Sequence, residues 1–152
     1  PYAALDEKNG FREYKLGANL SEFKNLKPPE KVNESEWYDV ETFDPKLGDA
    51  EISGIRLIFE AGLLREIDVK AEGKTNIATL KETLIQAYGQ PSKRIIGDDL
   101  EWAGERVHLR FRKDLFGKSA SADFKGKEVE AKIKMGIEQK AKESASEGSK
   151  NL

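Results

Sequence analysis

The feature that most constrains the fold is a pair of alternating segments on either side of Ala61-Gly62. Successive side chains of a strand point to opposite faces, so alternating apolar and polar residues predict a half-buried strand. Two such strands joined by a glycine-containing turn predict a β-hairpin, and we expect Gly62 to adopt the left-handed conformation of a type I turn with a G1 bulge. The apolar positions are Ile55, Leu57 and Phe59 before the turn and Ile67, Val69 and Ala71 after it.

A second hairpin is predicted from residue 100 to residue 111, again around an Ala-Gly dipeptide, Ala103-Gly104. Trp102 lies in phase with the apolar positions of this hairpin, so we interpret it as a core residue. Residues 119–124 follow and are expected to add a strand at the edge of the sheet. Whether the two hairpins represent an internal duplication or a common way to build one sheet stays open.

Two helices are predicted from apolar residues at helical spacing. Between the hairpins, residues 76–88 carry an apolar stripe that stops at Gly89 and Pro91, with Thr75 or Asn76 as the expected N-cap. Residues 127–142 carry a narrower stripe, which predicts a helix that docks lightly on the sheet. The stripes consist of Ile77, Leu80, Leu84 and Tyr88 in the first helix and Val129, Ile133, Ile137 and Ala141 in the second.

These elements indicate an α+β fold. We expect an antiparallel sheet of about five to seven strands, with the 76–88 helix packed on one face and a C-terminal helix beside it. Before the first hairpin we expect a short strand over residues 11–17, a short helix from Leu20 and a strand around Trp37. The 152 residues suit one domain, residues 11–142, preceded by a polar lead-in (1–10) and followed by a Ser/Gly-rich tail (143–152) that we expect to be disordered.

Composition excludes several classes of function. The chain has no cysteine and one histidine, His108, which rules out thiolate nucleophiles and sites that need two imidazoles. The net charge of −2 argues against a dedicated nucleic-acid binder, and no apolar run is long enough for a transmembrane helix. The adjacent acids Asp98 and Asp99 would point apart on an extended segment. We therefore identify no catalytic residues, no metal ligands and no cofactor, and we predict that the protein is not an enzyme.

Charge is distributed unevenly along the chain, with acidic side chains predominating in residues 30–60 and basic ones in residues 105–142. Four cation-capable residues at period two should project from one side of the strand after Gly104. Such a ladder could bind phosphates, a sulfated glycan or acidic lipid headgroups. It could equally be a solvent-facing surface paired with acids, for which Glu66 and Asp68 are plausible partners. The four residues are Arg106, His108, Arg110 and Arg112.

Trp37 and Tyr38 are the other candidates for a binding site. They are adjacent on a predicted strand, so only one of them can face the core. The other ring would be at least half exposed, and an exposed aromatic ring is a common anchor for a protein partner.

The opening of the chain resembles that of a known group of sequences. Residues 5–12, which end in Phe11-Arg12, continue to Lys15-Leu16-Gly17. They are similar to the Phe-Arg-x-x-Lys-x-Gly start of small, mostly uncharacterised bacterial proteins, many of which are made with an export signal. Further matches are residues 54–59, residues 84–89 and the Trp102-x-Gly104 turn. This resemblance implies an exported or periplasmic location and does not exclude a cytoplasmic one.

The layout of a helix and a meander is also remotely similar to BamE-like envelope scaffold proteins, although this chain has no lipobox cysteine and begins with a hairpin. We therefore expect a non-enzymatic binding or scaffold domain, exported, that acts through protein or surface contacts with an unidentified protein partner. The alternative is a domain that binds a polyanion or a small ligand through the strand face of residues 106–112. No oligomeric state is predicted.

Overall fold

A computed structural model describes residues 1–95 and 97–152. The N-terminal segment contains a short helix, α1 (Ala3–Lys8), and a small hairpin, β1 (Gly10–Phe11) and β2 (Tyr14–Lys15). The first half of the main sheet and a small separate hairpin follow, in the order β3 (Glu30–Val32), β4 (Ser35–Asp39), β5 (Lys46–Leu47), β6 (Ala50–Glu51), β7 (Gly54–Glu60) and β8 (Leu63–Glu72). The remainder comprises α2 (Lys74–Tyr88), β9 (Lys93–Arg94), β10 (Leu100–Ala103), β11 (Val107–Lys113), β12 (Ser119–Gly126) and α3 (Lys127–Ser149).

The main sheet has eight antiparallel strands in the order β3-β4-β7-β8-β12-β11-β10-β9. The α+β class and the antiparallel sheet with its two helices are confirmed. The prediction that residues 119–124 form an edge strand is wrong, because β12 lies in the middle of the sheet between β8 and β11. This position buries Ala122 and Phe124 between two apolar neighbouring strands, a stabilisation that an edge strand would not obtain.

The first hairpin is confirmed, but its turn differs from the expected one. Ala61 and Gly62 both have positive φ, 53° and 75°, and Glu60 pairs directly with Leu63. Two consecutive positive φ angles are the pattern of a type I′ turn, whose twist matches that of the flanking strands. The irregularity in register lies instead within the strands, between Ile58 and Phe59.

One face of the sheet, here called the inner face, forms the core. Its buried side chains include Leu57, Ile67, Leu109, Phe111 and Phe124. The helix α2 adds Ile77, Leu80 and Leu84 to the same cluster, as the apolar stripe predicts. Trp102 is fully buried, and its Nε1 donates a hydrogen bond to the carbonyl of Gly89 (2.8 Å), so the end of α2 is tied to β10.

The start of α2 differs from the sequence prediction, because Gly73 is its N-cap rather than Thr75 or Asn76. The Asn76 side chain instead makes two hydrogen bonds to other segments. Its Oδ1 accepts a hydrogen bond from the Glu51 N–H (3.0 Å), and its Nδ2 donates to the Glu72 carbonyl (2.9 Å). A side chain bonded in this way to two other segments is not available to cap its own helix.

Residues 1–10, which we expected to be a polar lead-in, form α1 and enter the structure. Leu5 is fully buried, and Asp6 binds the loop between β10 and β11. Its carboxylate accepts hydrogen bonds from three backbone N–H groups: Glu105 (2.9 Å), Arg106 (2.8 Å) and Val107 (2.9 Å). Burial of this carboxylate tends to raise its pKa, but the three N–H donors outweigh that effect and lower the pKa of Asp6.

The segment expected as one strand over residues 11–17 is the β1–β2 hairpin instead. Arg12 lies in its turn with a φ of 52°, and its guanidinium donates to the carbonyls of Asp44 (2.5 Å) and Lys46 (2.9 Å). The helix expected from Leu20 is a single 3-10 turn, Leu20–Glu22, held by a hydrogen bond from the Asn19 N–H to the Glu22 carboxylate (2.8 Å).

The C-terminal helix extends further than predicted. In the structure α3 continues to Ser149, so residues 143–149 are helical where we expected a disordered tail. Only Val129 and Ile133 of this helix are buried, and every residue after Ile133 is exposed. Glu143, Ala145 and Glu147 have high helix propensity and favour the longer helix, whereas the three serines and Gly148 of the same segment do not. Among residues 1–95 and 97–152, no helix is both long and apolar enough to cross a membrane.

We expect Asp6→Ala to destabilise the protein by about 1–2 kcal/mol, because three N–H groups lose their acceptor. The melting temperature should fall by about 2–8 °C at neutral pH. Because the pKa of Asp6 is lowered by folding, this contribution is present above the usual aspartate pKa of 3.8 and is lost as the pH falls below it. Glu7→Ala, which removes an exposed acid from the same helix, is the matched control. Equal melting temperatures for the two variants would contradict this role of Asp6.

Candidate functional site

The candidate site is the outer face of the sheet, the face opposite α2. Alternation along the strands places on it the side chains that do not enter the core. Its charged members include Arg56 of β7, Glu66 and Asp68 of β8, and Asp123 of β12. His108, Arg110 and Arg112 of β11 lie on the same face, because Val107, Leu109 and Phe111 of that strand are in the core.

The four predicted cations do not form a free ladder. Arg106 precedes β11 and lies in the loop bound by Asp6, so three of the four are on the strand itself. Each of the four has an acidic partner. The pairs are Arg106 with Glu128 (3.1 Å), His108 with Glu101 (3.7 Å), Arg110 with Asp99 (3.3 Å) and Arg112 with Asp123 (2.6 Å).

The partners differ from those suggested by the sequence. Glu66 and Asp68 belong to β8, and β12 lies between β8 and β11. The direct neighbour of Arg112 is therefore Asp123, whose carboxylate raises the pKa of Arg112 although burial of the guanidinium opposes this. Asp98 pairs with the Lys113 ammonium (3.0 Å), and Asp99 pairs with Arg110 and accepts a hydrogen bond from the Lys113 N–H (3.2 Å).

Trp37 and Tyr38 face opposite sides of β4, as their adjacency predicts. Tyr38 is on the core side, where its ring packs edge-on against Phe59 with 5.5 Å between ring centroids. Burial and a hydrogen bond from its hydroxyl to Glu36 (3.1 Å) raise the pKa of Tyr38. Trp37 is on the outer face, but the expectation that it is at least half exposed is wrong, because the Arg56 guanidinium lies over its ring, 4.9 Å from the centroid.

The structure brings together three carboxylates that the sequence analysis did not recognise as a group. Asp68 and Asp123 are directly opposite each other in the β8–β12 register, and Glu66 is two residues before Asp68. One carboxylate oxygen from each of the three lies within 4.8 Å of the other two. These are the residues that could hold a metal ion. We name them the carboxylate cluster.

Within this cluster Asp123 and Asp68 have different surroundings. Asp123 is 2% exposed, but it accepts hydrogen bonds from Arg112 and from the Ser121 hydroxyl. Asp68 is 8% exposed, and its Oδ1 is buried with no hydrogen-bond partner among the residues that the structure describes. Burial, together with the neighbouring Glu66 and Asp123 carboxylates, raises the pKa of Asp68 to about 10.

The only sequence signal for the cluster is the pair of acids Glu66 and Asp68 two residues apart on a predicted strand. That spacing indicates that both side chains share a face. The third member depends on the register between β8 and β12, in which Asp68 pairs with Asp123, 55 positions further along the sequence. No local sequence pattern predicts which residues of two such distant strands are paired.

A second feature that the sequence analysis missed lies at the turn between β11 and β12. Leu115 is 98% exposed and Phe116 is 83% exposed. Asp114 orders the turn, since its carboxylate accepts hydrogen bonds from the Phe116 N–H (3.1 Å), the Lys118 N–H (2.8 Å) and the Ser119 hydroxyl (3.1 Å). The Lys118 N–H is the main cause of the lowered pKa of Asp114. We name Leu115 and Phe116 the hydrophobic tip.

Comparisons of the chain with protein-family models, with curated proteins and with solved structures found no match. The function is therefore inferred from the chemistry of the sites themselves.

We expect Asp68→Asn to increase stability in the presence of a chelator, and to do so more at high pH than at low pH. The pKa of this acid is raised by folding, so the folded state keeps a proton that the unfolded state releases from its usual pKa of 3.8 upward. The free energy of unfolding of the wild type therefore falls as the pH rises from that value towards 10. An amide does not titrate and has no such dependence. The variant should melt several degrees above the wild type at about pH 9 and close to it at about pH 5.

Asp49→Asn, at an exposed acid in the turn between β5 and β6, is the control and should leave the pH profile of the melting temperature unchanged. Parallel pH profiles for Asp68→Asn and the wild type would show that the carboxyl of Asp68 does not carry the expected proton.

Proposed function

We propose that this protein is a non-enzymatic binding or scaffold domain that acts through contact with a protein partner, and that the hydrophobic tip is its anchor. The observation that supports this is the exposure of Leu115 and Phe116, 98% and 83%, in a domain whose other large aromatic rings are at least half-buried. Exposed large apolar side chains at one place on a surface are typical of interaction sites. Aromatic anchors contribute much of the binding free energy at protein interfaces.

The tip is well suited to binding because its backbone is held in place before any partner arrives. The three hydrogen bonds to Asp114 fix the turn, and Gly117 follows with a φ of 66°, a conformation that favours glycine. A preorganised loop loses less conformational entropy on association than a flexible one. The Phe116 ring and the Leu115 methyl groups are thus presented on an ordered turn between the long strands β11 and β12.

The charges around the tip indicate the chemistry of its partner. Lys113 and Lys118 flank the turn, and Lys118 is exposed with no ion pair among the described residues. The Asp114 carboxylate is directed inward to its three donors. A complementary surface would therefore be an apolar pocket with acidic groups at its rim.

The candidates from the sequence analysis have less support as the main contact. Tyr38 packs on Phe59, and Trp37 is stacked by Arg56, so binding through either ring would first have to break internal contacts. Trp37, half-buried on the outer face, stays a candidate for a secondary contact.

The exported location is also a proposal, and it is supported by the resemblance of the opening residues Phe11-Arg12 and Lys15-Leu16-Gly17 to those of exported bacterial proteins. Cell fractionation of the natural host with an antibody against this domain would test it.

The hydrophobic tip is tested by the double variant Leu115→Ser/Phe116→Ser. We expect the purified wild type to retain one stoichiometric protein partner at physiological salt, and the double variant to bind that partner at least about 100-fold more weakly, as is usual when central anchors are removed. The melting temperature should change little, because neither side chain is buried. Met135→Ser, at a 69% exposed apolar residue of α3, is the matched control and should bind like the wild type.

Equal affinity of the wild type and the double variant for the purified partner would overturn the proposal. Binding to neutral or anionic lipid vesicles that the double variant loses, with no protein partner, would overturn it as well, because the tip would then be a membrane anchor.

The alternative function, polyanion binding by the cations of residues 106–112, has a direct test. Since Arg110 and Arg112 both have acidic partners, we expect weak retention of the wild type on heparin, eluting at low salt. The variant Arg110→Glu/Arg112→Glu should elute at nearly the same salt concentration. Strong retention of the wild type that this double change abolishes would instead support the polyanion hypothesis.

A further inference from the structure

We propose that Glu66, Asp68 and Asp123 form a binding site for a hard divalent cation, of the class of Ca²⁺, Mg²⁺ or Mn²⁺. The site lies on the outer face of the sheet, away from the hydrophobic tip, and is a property of the domain additional to partner binding. It rests on two independent observations: the geometry of the three carboxylates, and the unpartnered oxygen of Asp68.

The geometry suits a single ion. Oxygen atoms of the three carboxylates lie within 4.8 Å of one another. Two oxygens bound to the same Ca²⁺, each at about 2.3–2.6 Å, can be at most about 5 Å apart, so the observed separation is compatible with a shared ion. The two central strands of the sheet hold these residues, which limits how far the carboxylates can move apart.

The carboxylate of Asp68 has no positively charged partner among the described residues. It is 8% exposed, and its Oδ1 is buried without a hydrogen-bond partner among the described residues. A buried carboxylate without donors is costly unless a cation or a proton neutralises it. Asp123, its neighbour in the register, is itself acidic and cannot supply that charge.

Three nearby cations of the chain have other contacts, and Lys70, two residues after Asp68, forms no ion pair with it among the described residues. Arg56 is opposite Asp68 in the β7–β8 register, yet its Nε lies 3.1 Å from Asp39 and its guanidinium stacks on Trp37. Arg112 is bound to Asp123 at 2.6 Å, and Lys125 is 4.0 Å from Glu66. The charged groups around Asp68 are thus Arg56 from β7, Glu66 and Lys70 on its own strand, Asp123 and Lys125 from β12, and Arg110 and Arg112 one strand further away.

Arg112 pairs with Asp123 and Lys125 with Glu66, whereas Asp68 has no ion pair among the described residues. The donor set is made of oxygen atoms alone, which favours hard divalent cations over zinc or copper. A proton on Asp68 competes with such an ion for the same oxygen. Cation binding should therefore release a proton and become tighter as the pH rises.

The test uses the full chain, freed of metal by a chelator and then titrated separately with Ca²⁺, Mg²⁺ and Mn²⁺ in a calorimeter at about pH 8 and about pH 6. We expect one site per chain for at least one of these ions, with an affinity at least about 10-fold higher at the higher pH. The melting temperature should rise with the concentration of that ion, since the ion binds only the folded state.

Two variants make the assignment specific. Asp68→Asn keeps the size of the side chain, and Glu66→Gln changes a second ligand in case the first variant folds poorly. We expect each folded variant to lose at least about 10-fold in cation affinity, whereas Asp49→Asn, at an exposed acid far along the sequence from the cluster, should bind like the wild type.

Absence of binding to all three ions up to about 10 mM, weaker than any site of the extracellular Ca²⁺-binding class, would overturn the proposal and leave the cluster as a set of carboxyls that share protons. Binding of unchanged affinity in both cluster variants would also overturn it, because the ion would then occupy other acids.

Discussion

The pairing of β8 with β12 is the contact on which the rest of the structure depends, because it joins the two halves of the sheet. On the inner face, its register brings Ile67 next to Phe124 and Val69 next to Ala122, at the centre of the core. On the outer face, the same register places Asp68 against Asp123. A slip of one residue would separate the two acids, but it would also turn the apolar side chains out of the core. Burial of the apolar face therefore holds the two carboxylates together against their repulsion.

On the outer face, the two carboxylates Asp123 and Asp68 differ in the partners that surround them. Asp123, although almost fully buried, pairs with Arg112 and accepts a hydrogen bond from the Ser121 hydroxyl. Arg56, which is opposite Asp68 in the register, pairs instead with Asp39 and stacks on Trp37 of the next strand, β4. The predicted cation ladder and the carboxylate cluster are consequently parts of one network, in which nearly every positive charge already has a partner.

Local sequence patterns were sufficient to predict the first hairpin and α2, but not which strands are neighbours in the sheet. Alternation around Ala61-Gly62 and the stripe that includes Leu80 and Leu84 predicted the first hairpin and α2, since both depend on residues close in sequence. The central position of β12, the ion-pair partners of the β11 cations and the carboxylate cluster all depend on one long-range register that no local pattern encodes. The sequence contains Leu115-Phe116 between two lysines, but it does not show whether these side chains are buried. The structure does, because the turn that Asp114 stabilises leaves both of them exposed to solvent.

The three hydrogen bonds of Asp6 have a consequence for the time course of folding. They join residues about one hundred positions apart, so they can form only after residues 105–107 have left the ribosome. Contacts of such long sequence separation slow folding, because the intervening chain must be ordered first. We therefore expect the segment around Leu5 and Asp6, although it is synthesised early, to be among the last to be fixed, and the core residues that Leu5 covers to stay accessible to solvent until then.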